Sequence, residues 1–260
     1  MKIAFIAAFS SDRISGPTNS VTNLAKSCNG NVFTNIDSQE KFIINDIGIN
    51  TKQEFFKNVD NFTMVIVTGI FDRNNLDIFK ILLSKKIKYV VSLRGNLIKE
   101  SFKRSKLKKI IYMAFYGNRI INEAHGIHFL SKEEQSKTMI LKNKNSIISR
   151  NGVESFSELS NFQERKNIIL FIGRIDTFHK GIDRLICQIQ ANASYLSKKN
   201  FKIDLYGPSN KNDKKNIHKL IEKNNLKELI SLHDPVSKDE RNKLLQNSKY
   251  FIHTSRLEGQ

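Results

Sequence analysis

Short apolar runs alternate with amphipathic helical patterns along almost the whole chain. The clearest runs occupy residues 3–8, 64–68, 88–92, 126–130 and 168–172. Most neighbouring runs are separated by segments in which apolar residues recur at helical spacing. Strands separated by helices of this length are typical of parallel βαβ units. The sequence therefore predicts an α/β protein built on parallel sheets.

The pattern divides the chain into two parts. The regular spacing of apolar residues weakens over residues 154–166, and we interpret this segment as a linker. Residues 1–153 and 167–260 each contain several βα units, and a chain of 260 residues is long enough to bury two cores. We predict two Rossmann-like domains facing a cleft, with the second domain incomplete.

The chain is strongly basic, with a formal net charge of +18. Residues 1–150 carry 24 Lys and Arg against 12 Asp and Glu, and the cations are densest between residues 85 and 109. Nucleic acid, an anionic membrane surface and anionic small molecules would each suit such a charge, and a bias toward solvated lysines is a further alternative. No helix-turn-helix, RNA-recognition or zinc spacing is visible, which argues against nucleic acid.

Cysteine usage and hydropathy bear on the compartment. Cys28 and Cys187 fall in two distant predicted helices and do not form a disulfide framework. The N-terminal apolar stretch is too short for a secretory signal, and no apolar run reaches the roughly 18 residues of a membrane span. We expect a cytoplasmic protein, with peripheral attachment at the inner membrane face as an alternative.

The segment 167–186 predicts a site for a diphosphate. A buried strand ends at Gly173, and an amphipathic helix begins near Gly181. Arg174 and Lys180 lie at the strand exit and the helix entrance, where α/β sheets bind ligands and where helix N–H groups favour an anion. His179 precedes Lys180 and is a further candidate for lining this site.

Several short motifs, taken in order, are similar to family-four retaining glycosyltransferases of the GT-B fold. They are SGPTNS at 15–20, VSLRG at 91–95, EAHGIHFLS at 123–131 with Glu134, RNGVE at 150–154, the pair Gly173-Arg174 and Lys180-Gly181, LYGP at 205–208, and SRLEG at 255–259. Two features depart from the family. Ser15 replaces a frequent glycine, and a second glutamate eight positions after the one matching Glu258 would fall past residue 260.

The resemblance implies roles for nine of the matching residues. Arg174, Lys180 and Glu258 would be catalytic, and the donor would contact six further residues: Gly16, Arg94, Gly173, Gly181, Gly207 and Gly259. It implies transfer of a sugar, with retention, from a nucleotide-diphosphate sugar to a glycan or lipid-linked acceptor in bacterial surface polysaccharide synthesis. The N-terminal domain would hold the acceptor and the C-terminal domain the nucleotide sugar. We expect no cofactor and, because Asp-x-Asp is absent, no metal.

Other interpretations stay open at this point. The chain could be an inactive, truncated glycosyltransferase remnant or, with less support, a basic nucleic-acid-binding protein. A dinucleotide oxidoreductase is disfavoured because no Gly-x-Gly-x-x-Gly follows the first strand. The basic segment 99–109, predicted as a helix with an apolar side, would suit an anionic inner-membrane surface, and a solvated helix is the alternative.

Overall fold

The structure is a computed structural model, and it describes residues 2–10, 16–37, 40–99, 101, 105–139, 145–152 and 161–256. Two compact units can be distinguished, unit 1 within residues 1–154 and unit 2 within residues 155–258. Most of the predicted linker, residues 154–160, lies outside the described residues. The part that is described contains one turn of 3-10 helix, Phe162–Glu164.

Unit 1 contains an eight-stranded sheet. Its strands are β1 Ile3–Ala7, β2 Asn31–Thr34, β3 Phe42–Ile44, β4 Ile47–Asn50, β5 Met64–Thr68, β6 Tyr89–Ser92, β7 Gly126–Phe129 and β8 Ser146–Ile148. They are ordered β3-β4-β2-β1-β5-β6-β7-β8, and every neighbouring pair is parallel except β3 and β4. These two form a hairpin whose turn residues, Asn45 and Asp46, both have positive φ, as a two-residue hairpin turn requires.

The helices of unit 1 connect these strands. They are α1 Gly16–Ser27, α2 Lys52–Asn58, α3 Leu76–Ser84, α4 Lys106–Tyr112, α5 Asn118–Glu123 and α6 Lys132–Lys137. Thr51 and Glu54 cap α2 reciprocally, so the sequence marks where that helix begins. A π-helical turn, Met113–Gly117, joins α4 to α5 into one helical stretch.

The sheet of unit 1 is buried on both faces. Ala4 and Ile6 in β1 belong to one apolar cluster with Val65, whereas the alternate residues Phe5 and Ala7 belong to a second cluster. Successive side chains of a strand point to opposite faces, so two clusters require covering layers on both sides. The near-continuous apolar runs of the sequence reflect this double burial.

Unit 2 has the same design on a smaller scale. Its strands β9 Lys166–Ile172, β10 Lys202–Tyr206, β11 Ile230–His233 and β12 Ser248–Phe251 form a parallel sheet in the order β11-β10-β9-β12. The helices are α7 Ile182–Ala191, α8 Ala193–Lys198, α9 Lys211–Lys223 and α10 Lys238–Asn247. The buried face of α7 consists of the four residues that its periodicity predicts, Ile182, Leu185, Ile186 and Ile189.

The predicted α/β class and parallel sheets are confirmed, but two helix predictions were wrong and two elements were missed. The helix expected from residue 99 begins at Lys106, because Ser105 adopts a left-handed conformation with φ 59°. The amphipathic pattern that begins near Gly181 predicts a single helix over residues 180–197, but this segment is divided at Asn192, whose φ of −115° is not helical. The sequence interpretation also omitted β4 and α2, since a short strand and a seven-residue helix give little periodic signal.

Candidate functional site

In unit 2 the predicted anion site lies where the strand order of the sheet reverses. The chain passes from β9 outward to β10 and β11, and then returns to place β12 on the opposite side of β9. The segments that follow β9 and β12 are therefore neighbours at the carboxyl edge of the sheet. Parallel α/β sheets bind ligands at such a reversal.

Two glycines let backbones approach closely at this edge. Gly207, after β10, has φ 148°, and a Cβ atom there would lie 1.9 Å from the carbonyl oxygen of Gly173. The Gly173 N–H donates to the carbonyl of Tyr206 at 2.9 Å. The exits of β9 and β10 thus touch through backbone atoms, which only glycine at position 207 permits.

Gly181 performs a similar task beside β12. Its φ is 64°, and a Cβ atom would lie 2.2 Å from the Thr254 carbonyl oxygen. The Thr254 hydroxyl donates to the carbonyls of Lys180 and Gly181, at 3.0 and 3.2 Å. The entrance of α7 is therefore held against the segment that follows β12.

A carboxylate organises the turn that carries the two predicted cations. Asp176 accepts hydrogen bonds from the backbone N–H of His179 at 2.7 Å and from its ring Nδ1 at 3.0 Å, and Arg174 Nη2 lies 3.4 Å from the same carboxylate. Burial of Asp176 opposes its ionisation, but the hydrogen bonds from His179 and the charge of Arg174 outweigh burial and lower the pKa of Asp176. Asp176 is therefore an anion that orients Arg174 and His179.

Arg256 fastens the segment after β12 to the same turn. Its guanidinium donates to both oxygens of Asp183, each at 2.7 Å, and to the carbonyls of Thr177 and Phe178 at 3.2 and 3.0 Å. Its backbone N–H donates to the carbonyl of His179 at 2.8 Å. The hydrogen bond from Arg256 is the main reason that the pKa of Asp183 is lowered.

Unit 2 thus brings together Gly173, Arg174, Lys180, Gly181 and Gly207. The Arg174 side chain is 52% exposed, so its guanidinium can reach a ligand. The start of α7 follows directly after Gly181, and the start of a helix attracts anions. The Asp183 carboxylate already accepts hydrogen bonds there from the backbone N–H groups of Asp183 and Arg184. Glu258 and Gly259 lie outside the described residues, and their predicted roles stay predictions.

In unit 1, Arg94 lies at the carboxyl end of β6. It has φ 48° and donates through Nη1 to Ser20 Oγ at 2.7 Å and to Asn151 Oδ1 at 3.2 Å. Burial lowers the pKa of Arg94, and its Nε has no hydrogen-bond partner among the described residues. Ser20 belongs to α1, the helix that begins at Gly16, so Arg94 links the end of β6 to that helix.

Glu134 holds the backbone around Arg94. Its buried carboxylate accepts hydrogen bonds from the N–H groups of Gly95 and Leu130. His128 hydrogen-bonds to Ser92 Oγ through Nδ1 at 2.8 Å, and burial lowers its pKa. Gly16 itself is exposed, and a Cβ atom there would meet nothing within 4 Å, so sterics among the described residues do not demand glycine.

Sequence reasoning gave no role to several of these residues. Asp176, Thr254, Arg256 and Glu134 act on backbone groups that only folding brings near them. A charged residue beside a glycine-containing turn was a signal for Asp176, but the contact between Arg256 and Asp183 spans 73 positions and has no local pattern. Among the residues that the structure describes, no three His, Cys, Asp or Glu side chains cluster as metal ligands.

The comparisons with known proteins address the family. Residues 153–260 match the model of the family described as Glycosyl transferases group 1. Unit 2 is therefore similar to group 1 glycosyl transferases, and the chain has the GT-B fold. This agrees with the resemblance drawn from the sequence motifs. No curated protein matches the chain.

Solved GT-B glycosyltransferases cover the whole chain at low identity. HepE from Anabaena, solved in complex with UDP-glucose, has a TM-score of 0.75 and 14% identity, and the match covers 100% of this chain and 75% of HepE. An E. coli trehalose-6-phosphate protein bound with UDP-2-fluoro glucose gives 0.69 and 9%, covering 100% and 79%. The lipopolysaccharide outer core galactosyltransferase WaaB gives 0.61 and 15%, covering 100% and 75%.

Proposed function

We propose that the chain transfers a sugar from a nucleoside diphosphate sugar to a hydroxyl of an acceptor. The observation that carries this proposal is the edge of unit 2 at β9 and β12. There Arg174 follows the exit of β9 and Lys180 precedes α7, whose entrance Gly181 allows to lie against the Thr254 carbonyl. The arrangement lies within the residues that are similar to group 1 glycosyl transferases, and solved structures of the same fold include proteins with UDP-sugars bound.

The chemistry follows from where negative charge develops. When the bond between the anomeric carbon and the diphosphate breaks, the electron pair leaves with the diphosphate. Arg174 can donate two parallel hydrogen bonds to phosphate oxygens, and Lys180 supplies a mobile point charge. Removing one such preorganised donor commonly costs about 3–4 kcal/mol of transition-state stabilisation.

The acceptor hydroxyl then bonds to the anomeric carbon. We propose that its proton passes to a phosphate oxygen of the leaving group and that the anomeric configuration is retained, without a metal. Glu258 would contact the donor sugar. The acceptor would be a glycan or lipid-linked glycan of a bacterial surface polysaccharide, as the relation to a lipopolysaccharide galactosyltransferase supports.

Release of UDP from UDP-glucose, measured without an acceptor, tests the assignment in unit 2. Arg174→Ala and Lys180→Ala should each lower the rate roughly 100- to 1,000-fold. Lys215→Ala, which removes an exposed cation on α9, should leave the rate unchanged. Equal rates in all four proteins would refute the proposed diphosphate site.

A finer proposal concerns the membrane. The stretch from α4 to α5 exposes large apolar side chains: Leu107, Ile110, Ile111, Phe115 and Tyr116. Leu107 is 71% and Phe115 75% exposed, and Lys106 and Lys108 lie beside them. None of the described helices is both long and apolar enough to cross a bilayer. We propose that this face, here called the α4–α5 face, rests on an anionic membrane surface, where each nearby cation adds about 1 kcal/mol.

Co-sedimentation with vesicles of phosphatidylcholine, with and without phosphatidylglycerol, tests this attachment. Binding should require the anionic lipid and weaken with salt. The double variant Leu107→Ser and Phe115→Ser should lose binding, whereas Ile43→Ser, which removes an exposed apolar side chain elsewhere in unit 1, should retain it. Equal binding to vesicles with and without phosphatidylglycerol would contradict the proposal.

A further inference from the structure

His179 is a titratable side chain, in the turn between β9 and α7, that the proposed chemistry does not use. The side chain is 33% exposed. Its Nδ1 contacts the Asp176 carboxylate, at 3.2 Å from Oδ1 and 3.0 Å from Oδ2, and no described residue forms a hydrogen bond with its Nε2. Because an ionised carboxylate can only accept hydrogen bonds, Nδ1 carries the proton in this contact. The second ring nitrogen, Nε2, is therefore left for a ligand.

The backbone of His179 is held on both sides. Its N–H donates to the Asp176 carboxylate at 2.7 Å, and its carbonyl accepts a hydrogen bond from the Arg256 N–H at 2.8 Å. The Phe178 ring meets the His179 ring edge-on, with 5.6 Å between the ring centroids, and the Arg256 guanidinium lies 5.4 Å from the Phe178 centroid. Supports of this kind restrict the orientation of a binding residue.

Six charged residues lie on the elements around His179. They are Arg174, Asp176 and Lys180 in the same turn, Arg256 after β12, Asp183 in α7 and Asp213 in α9. Asp183 binds Arg256, and Asp213 accepts a hydrogen bond from the Thr177 hydroxyl at 2.9 Å. The pKa values of Asp176 and Asp183 are lowered, so both stay ionised above about pH 5. Histidine is the side chain whose charge ordinarily changes between pH 5 and 8.

A diphosphate at this edge needs more positive charge than the start of α7 supplies. The Asp183 carboxylate already accepts hydrogen bonds from the backbone N–H groups of Asp183 and Arg184. Arg174 Nη2 lies 3.4 Å from Asp176 Oδ2, the same oxygen that His179 Nδ1 contacts. A protonated histidine beside Arg174 can donate from Nε2 to a phosphate oxygen, and such charge-assisted hydrogen bonds are stronger than neutral ones.

We infer that His179, in its protonated form, is a third cationic ligand of the donor diphosphate, so that donor binding takes up a proton. The inference rests on the proposed function, and it adds a dependence on pH to the diphosphate site. Donor affinity falls as the pH rises and the His179 ring loses its charge, whereas arginine and lysine side chains ordinarily keep theirs between pH 5 and 8.

Calorimetric titration with UDP-glucose between about pH 5.5 and pH 8 tests the inference. UDP-glucose is a suitable probe because its diphosphate is esterified at both ends and keeps a constant charge over this range, whereas the terminal phosphate of UDP titrates near pH 6. The wild type should bind UDP-glucose roughly tenfold more weakly at the upper end of the range than at the lower end. Heats measured in buffers of different ionisation enthalpy should show proton uptake on binding.

Two substitutions of His179 separate its charge from its structural contacts. His179→Gln keeps a donor for Asp176 but cannot be protonated, so its affinity for UDP-glucose should change less than about twofold across the range. His179→Arg supplies a charge that does not titrate, so it should bind at about pH 8 as tightly as the wild type does at about pH 5.5, without proton uptake. His218→Gln, at an exposed position in α9, is the control and should keep the pH dependence of the wild type.

The possible failures are distinguishable. Equal affinity of the wild type for UDP-glucose at all pH values, or a wild-type pH dependence in His179→Gln, would overturn the inference while the binding itself sustains the proposed function. Weaker binding to His179→Arg than to His179→Gln at the upper end of the range would also overturn it. Absence of UDP-glucose binding at every pH would instead refute the proposed donor site and the inference with it.

Discussion

The strand order reverses at the carboxyl edge of both sheets, but the two edges expose groups of opposite charge. In unit 2 the carboxylates of Asp176 and Asp183 bind the site's own side chains, and the cation Arg174 stays half exposed. In unit 1 the cation Arg94 is turned inward onto Ser20, whereas Asp72 faces a pocket. In unit 2 the carboxylates are paired within the protein and a cation is accessible to a ligand, whereas in unit 1 the cation is paired and a carboxylate is accessible.

This difference indicates that the two edges favour ligands of different chemistry. A ligand at the edge of unit 2 meets cations and helix N–H groups, which favour a diphosphate. A ligand at the edge of unit 1 meets the Asp72 carboxylate, which favours hydrogen-bond donors. The following predictions test each side of the comparison, beginning with the largest expected effect.

The close approach of β9 and β10 should be the least tolerant feature of unit 2. Gly207→Ala places a Cβ atom 1.9 Å from the Gly173 carbonyl oxygen at a positive φ, and we expect a loss of more than about 3 kcal/mol in unfolding free energy. Gly48→Ala, where a Cβ atom meets nothing within 4 Å, is the control for urea unfolding. Equal midpoints for the two variants would show that the strand exits do not depend on this contact.

The corresponding support in unit 1 is the Glu134 carboxylate. Glu134→Gln replaces one acceptor oxygen with a donor that faces an N–H group, so the variant should lose about 2–3 kcal/mol. Hydrogen exchange should rise at Gly95 and Leu130. The neighbouring Glu133→Gln removes only an exposed ion pair with Lys137 and should leave the unfolding free energy nearly unchanged. Similar hydrogen exchange at Gly95 and Leu130 in both variants would contradict the role assigned to Glu134.

Arg256 should affect donor binding without contacting the donor. Arg256→Lys loses the two-pronged bond to Asp183, which loosens the turn that carries Arg174 and Lys180. UDP should bind roughly 10-fold more weakly by calorimetry. Arg184→Lys, an exposed change one residue from Asp183, is the control. Unchanged UDP affinity in Arg256→Lys would remove its positioning role.

The smallest expected effect is the response of unit 2 to acid. Asp183 has a folded-state pKa below its ordinary value of 3.8, so its contribution to stability is present above that value and is lost as the pH falls further. The contribution should stay below about 1 kcal/mol because the pair is partly exposed. Between pH 5 and about pH 2, the midpoint temperature of thermal unfolding should fall less steeply for Asp183→Asn than for the wild type. An equally steep fall of the midpoint in both proteins would show that the ion pair between Arg256 and Asp183 does not contribute to stability.

The sequence predicted the fold better than it predicted the sites. In β9 and on the periodic face of α7, residues that are close in sequence determine which side chains are buried. The strands and that helix face could therefore be predicted. Gly173, Arg174, Lys180 and Gly181 could be grouped because one βα connection contains them. Residues that act across the sheet could not be found in this way. Asn35 and Asp72 are 37 positions apart, and only the parallel order β2-β1-β5 brings them together.

The location of the donor diphosphate tests the central claim most directly. In a crystal of the protein with UDP-glucose, we expect density for the two phosphates at the start of α7, within hydrogen-bonding distance of Arg174 and Lys180. The double variant Arg174→Ala and Lys180→Ala should lack that density under the same conditions. A nucleotide bound elsewhere in the wild type, with this edge of unit 2 empty, would contradict the account.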